Sequence, residues 1–256
     1  MTAIRTLAFA ELGQPTLGVV WIPDGDARAV IACRVGSEGG ALTGRLHDGP
    51  GHERWRIEGD EVSLTFSPAG PSARGGSPDA GIESLDQLCE VSGTVVLGGN
   101  EHEVSSVGSR TSLEARFELS GIESFRQTAA WFDASAGLSL LSYRPGKARG
   151  QDVDLVTAAV LEPEPAPAVA DPRLSTTYDA AGVPARVGLE LWFESDDSGE
   201  EPGEDEQRHF PRRAAAEVLG EPISWEVAGF RLLAALLRYH SRGSDGAGVY
   251  LLGQRG

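Results

Sequence analysis

The sequence predicts an all-β protein of antiparallel strands, and two observations carry that reading. Short apolar or strictly alternating runs recur along the chain, and Gly-, Pro-, Asn- and Asp-rich turns separate them at hairpin spacing. With 256 residues the chain can bury one large β core or two small ones. Gly 33 and Pro 15 make it turn-rich but not low-complexity. At 40% hydrophobic and 23% charged, it is neither a disordered tail nor a membrane protein.

Taken in order, residues 17–22 are apolar and stop at a Pro-Asp-Gly-Asp turn, and 29–35 is β-branched. Residues 54–57 and 62–66 alternate around a Glu-Gly-Asp-Glu turn, a hairpin signal. Residues 67–81 hold Pro68, Gly70, Pro71, Gly75, Gly76, Pro78 and Gly81, which predicts a long loop. A second hairpin joins 91–97 to 104–107 across Gly98-Gly99-Asn100-Glu101. Strands follow at 128–132, 138–143 and 153–161, the last ended by an extended Pro-rich segment at 162–167. Residues 173–178 and 187–193 bracket a third hairpin turn. The run 194–206 carries eight carboxylates and reads as a solvated loop. Residues 230–239 fit either the face of a short helix or a strand buried on both faces. Their β surroundings, 223–227 before and 249–252 after, favour the strand.

Charge excludes whole classes of partner. Lys+Arg 22 against Asp+Glu 38 gives a net charge of −16, and Lys147 is the one lysine. Nucleic acid and anionic bilayers both call for a basic footprint, so neither is an expected partner. No run approaches 18 apolar residues, so no transmembrane segment is expected, and no signal peptide is legible. Cys33 and Cys89 sit in strand-like runs far apart, without a CxxC pair. Buried free thiols, a cytoplasmic location and no zinc site are the expectation. No cofactor is expected: there is no phosphate-binding loop, G-x-S-x-G or H-E-x-x-H.

A set of local patterns stands in a characteristic order. Residues 88–95 precede Val107-Gly-Ser-Arg110-Thr-Ser112. Trp131-Phe132-Asp133 leads to residues 141–146 with Arg144, and then to Asp152-Val153-Asp154. Residues 173–182 run into Leu189-Glu190-Leu191-Trp192, followed by Pro211-Arg212-Arg213 and the Gly-rich 243–250. The order, over about residues 85–255, resembles the lipocalin-like family of hydroxyneurosporene synthase (carotenoid hydratase) and tocopherol-cyclase-like proteins. The resemblance implies two consecutive lipocalin-like antiparallel β-barrels packed together, residues 1–120 and 121–256, with apolar ligands in or between them. Where members carry a His-Ser-Trp-Gly-like element after the Gly-x-Arg, this chain has Ser112, Leu113, Glu114 and Ala115. An imidazole and an indole are thereby missing from the expected cavity mouth.

The expected function is binding of a small apolar ligand, of isoprenoid or fatty-acyl type. The alternative is an enzyme of isoprenoid or secondary metabolism performing acid–base hydration, cyclisation or isomerisation. Arg110, Trp131, Arg144, Asp154 and Trp192 are the expected ligand-binding residues, aromatics supplying an apolar wall and the charged groups a polar end. Asp152 and Asp154 alternate, so on a strand they share a face. A carboxylate turned inward there would need Arg110 or Arg144 beside it. Glu190, alone on an apolar strand, is a second candidate acid. His47 and His52 flank an apparent Asp-Gly-Pro-Gly loop and read as solvated rather than as metal ligands, and His102 reads as a hairpin-tip residue.

Overall fold

The computed structural model describes residues 2–23, 28–48, 54–77, 81–146, 154–164, 166, 168–193 and 211–256. Among these the fold is almost wholly antiparallel β. Eight strands close the first barrel in sequence order: β1 (Thr2–Glu11), β2 (Thr16–Pro23), β3 (Arg28–Val35), β4 (Glu38–Asp48), β5 (Trp55–Gly59), β6 (Val62–Ser77), β7 (Ile82–Leu97) and β8 (Asn100–Ala115). β8 pairs back onto β1, which removes every open edge. A 3-10 turn, Leu119–Gly121, leads to the second sheet.

That sheet holds β9 (Ile122–Trp131), β10 (Gly137–Pro145), β11 (Leu155–Leu161), β12 (Val169–Tyr178), β13 (Pro184–Phe193), β14 (Arg212–Val227), β15 (Phe230–Ser241) and β16 (Ser244–Arg255). Its order is β11-β10-β9-β16-β15-β14-β13-β12, and its two edge strands approach each other, so this barrel is nearly closed. No helix among the described residues is long and apolar enough to cross a membrane.

The three predicted hairpins are present, and 230–239 lies in β15. Gly98 and Gly99 turn the second with φ of 59° and 87°, the left-handed pair that a two-residue hairpin needs. The predicted loop at 67–81 is corrected: β6 continues to Ser77, paired with β7, with its register shifting between Pro68 and Ser72. The irregularity absorbs the prolines, which cannot join a regular ladder. Gly75 serves close approach rather than a turn, since a Cβ there would meet Thr157 Oγ1 of the second sheet at 2.4 Å. His47 also differs from expectation, being an exposed residue of β4 rather than of a loop. His52, Asp152 and the acidic run 194–206 lie outside the described residues.

Both barrel waists are filled by side chains. Phe9, Ile31, Cys33, Ile57, Phe66, Cys89 and Val95 in the first, and Leu191, Ala235, Leu237, Tyr239 and Tyr250 in the second, each have 0% exposure. Such atoms border no water-sized void. Cys33 and Cys89 are free thiols, and burial pushes both up to about 12. Gly18 lies opposite Phe9 across β1 and β2, and the ring covers it so closely that a Cβ would stand 2.0 Å from Cε1. Gly18→Ala is expected to cost about 1–3 kcal/mol by overpacking, readable as a lowered thermal midpoint.

A third core joins the barrels. Ile4, Ala8, Val19 and Trp21 turn outward from the first barrel onto Phe125, Ala129, Trp131 and Leu251 of the second. The period-2 geometry explains this: on β1 odd residues fill the barrel and even residues face the seam.

Candidate functional site

Between the barrels the seam opens into a cleft of about 740 Å³, within the range of small-molecule sites. Leu12, Val91, Val107, Trp131, Phe132 and Ala247 supply its apolar lining. Hydroxyls of Ser67, Ser92, Ser105 and Ser106 and carboxylates of Glu11, Glu90, Asp133 and Asp245 supply its polar part. Ser135 donates to Asp133 Oδ1 from both its backbone N–H and Oγ, at 2.7 Å each, holding that carboxyl below its ordinary pKa. Ser106 Oγ is committed to the backbone carbonyl of Ala10 at 2.9 Å, fixing one wall to β1.

At the mouth of the second barrel Arg144 and Asp154 meet. Arg144 Nε donates to Asp154 Oδ1 at 2.8 Å, while Arg126 Nη2 and Ser142 Oγ donate to Oδ2 at 3.1 and 3.0 Å. Burial by itself would raise the Asp154 pKa, but these bonds and the two guanidinium charges outweigh it and hold the carboxyl below its ordinary value. These four residues border a small pocket of about 190 Å³ with Ser124, Tyr178 and Gln254. The Tyr178 and Tyr250 hydroxyls stand 3.2 Å apart, tying the edge strand β12 to β16.

The structure does not bring the other expected residues to that mouth. Arg110 shares the inward face of β8 with Val104, inside the first barrel. Its Nε and Nη2 donate to Gln87 Oε1 at 3.0 and 2.7 Å, and its guanidinium lies 5.1 Å from the centre of the Trp55 ring. The expected choice of Arg110 or Arg144 beside Asp154 thus resolves to Arg144, with Arg126 as the partner sequence reasoning missed. Trp192 lies on the outer face of β13 between the guanidiniums of Arg173 and Arg213. Its Nε1 donates to Glu190, whose pKa is lowered first by the Arg213 hydrogen bond, so Glu190 is a surface ion-pair residue. Trp131, 2% exposed, lines the inter-barrel cleft.

One buried carboxyl was missed outright. Asp86 of β7, 3% exposed, accepts from Thr111 Oγ1 and Ser84 Oγ at 2.7 Å each and from Ser139 of the second sheet. Its signal lay in parity, since Asp86 shares a strand face with Ile82, Ser84 and Leu88.

Two filled antiparallel barrels, one closed and one nearly closed, meeting along an apolar seam, define a lipocalin-like double-barrel protein. The solved structure of CghA is similar over 99% of this chain and 88% of its own, at 11% identity and a TM-score of 0.60. A protein from Nitrosomonas europaea assigned as AttH is similar over 98% of this chain and 92% of its own, at 13% identity and a TM-score of 0.57. Likeness at such identity is likeness of fold. No family model matches the chain, and no curated protein matches its sequence.

Proposed function

We propose that this double barrel binds a small apolar ligand, of isoprenoid or fatty-acyl type, in the cleft between its barrels. The observation that carries the reading is the cleft's volume, about 740 Å³ with a wall of Leu12, Val91, Val107, Trp131, Phe132 and Ala247 opposite a polar part, beside two barrel waists filled by their own side chains. The resemblance to the hydroxyneurosporene synthase family supports the ligand class. We take residues 1–120 and 121–256 as the two units, and the buried free thiols suit a reducing cytoplasm. The alternative, acid–base hydration, cyclisation or isomerisation, calls for a protonated acid against the ligand. Of the carboxyls the sequence singled out, Asp154 and Glu190 are held ionised by arginines, and Asp152 lies outside the described residues.

The test is titration of a panel of fatty acids and isoprenoids followed by tryptophan fluorescence, with native mass spectrometry of the protein as purified. Trp131→Leu and Phe132→Ala are expected to weaken binding about tenfold, a loss of about 1.4 kcal/mol. Arg110→Gln, inside the first barrel, leaves it unchanged. No binding by any panel member, with no retained lipophilic mass, would remove the reading.

A further inference from the structure

We propose that the pocket at the mouth of the second barrel is a receptor for a small anion carrying a carboxylate or phosphate group. It stands apart from the cleft and shares none of its lining residues.

The argument is one of unused donors. The pocket's lining sets Arg126 and Arg144 against one carboxylate, Asp154, and the charge of Glu123 acts on Arg144 from outside that lining. Asp154 occupies only Arg126 Nη2 and Arg144 Nε. Among the described residues, Nε and Nη1 of Arg126 and both Nη atoms of Arg144 make no hydrogen bond. The side chains are 30% and 47% exposed, so an entering anion can reach them. Ser124 and Gln254, cross-strand partners on β9 and β16, add an amide and a hydroxyl. Tyr178 adds a phenol at the rim. Planar guanidinium forks match the paired oxygens of a carboxylate or phosphate, and about 190 Å³ admits such a group.

Isothermal titration calorimetry of the full chain tests this with two probes, inorganic phosphate and hexanoate. One anion per chain is expected. Arg144→Gln should weaken binding at least tenfold, a factor worth about 1.4 kcal/mol. Asp154→Asn, which removes the competing carboxylate yet still accepts from Ser142, should tighten it several-fold. Opposite signs at adjacent residues are not what a general loss of structure produces. Phosphate without hexanoate supports the receptor and names its anion, and hexanoate without phosphate does so where Arg144→Gln weakens it and Phe132→Ala does not. Hexanoate heat lost in Phe132→Ala and kept in Arg144→Gln belongs to the cleft and overturns the receptor. No heat with either probe overturns it, as does an affinity that neither Arg144→Gln nor Arg126→Gln changes. Phe132→Ala should leave anion binding intact, so failure of the cleft reading and failure of this one are told apart.

Discussion

Asp86→Ala is expected to lower stability by about 3 kcal/mol, because it strands buried hydroxyls on both sides of the barrel seam. Thr111 and Ser84 donate to this carboxyl from the first barrel and Ser139 from the second, while Ser84 Oγ lies 2.6 Å from Thr157 Oγ1. The side chain thus spans the interface with hydroxyl partners alone. Burial raises its pKa, and the hydroxyl bonds oppose that only in part. A carboxyl whose pKa is higher folded than unfolded holds its proton more tightly in the native state. Its contribution is therefore complete below the ordinary carboxyl range and is lost as pH rises through the folded value. Asp86→Asn cannot ionise. Relative to that variant, the wild type should lose stability as pH rises from about 4 and level off above the folded pKa. Urea unfolding of both proteins from about pH 4 to about pH 8 reads this directly. A difference that is flat with pH, or that runs the other way, refutes the assignment.

Trp21→Ala is expected to cost about 3–5 kcal/mol, as for other buried aromatics truncated in a core. Trp21 is 1% exposed, stacks on Phe125 at 5.1 Å and meets the edge of Phe230 at 5.8 Å. Phe125 in turn stacks on Tyr143 at 5.2 Å. The indole is the first barrel's contribution to a ring cluster that Phe125, Tyr143 and Phe230 of the second sheet and Phe117 of the connection complete. Near-UV circular dichroism should fall with it, and Trp21→Phe should restore most of the stability. A double-mutant cycle with Phe125→Ala should give a coupling of about 0.5–1.5 kcal/mol. A single-variant loss under about 1 kcal/mol would show that other contacts hold the barrels together.

Much of the fold was legible in particular residues. The alternation at 62–66 and the Gly98-Gly99 pair mark hairpins by local geometry alone. Residues 230–239 were harder, because a strand packed on both faces loses its period; Leu232 and Ala234 face the seam while Leu237 and Tyr239 fill the second barrel. The stretch 67–77 misled because glycine has two uses. The sequence shows the missing side chain but not whether it permits a turn or lets Thr157 approach. Arg144 and Asp154 could be joined by reasoning about charge, whereas Arg126 needed the pairing of β9 with β10.

What the sequence determined on its own is therefore local: strand and turn, parity within a strand, the acidic surface, and the need of an inward carboxylate for an arginine. Which neighbour each face meets was decided by the tertiary structure. Parity puts Asp86 on one face of β7 and Arg110 on one face of β8, but it does not say which face closes on the barrel and which on the seam. That choice rests on burying the outward row of Ile4, Ala8, Val19 and Trp21 against the second sheet. Burial of apolar area is non-directional and is summed over residues far apart in the chain, so no local pattern encodes it.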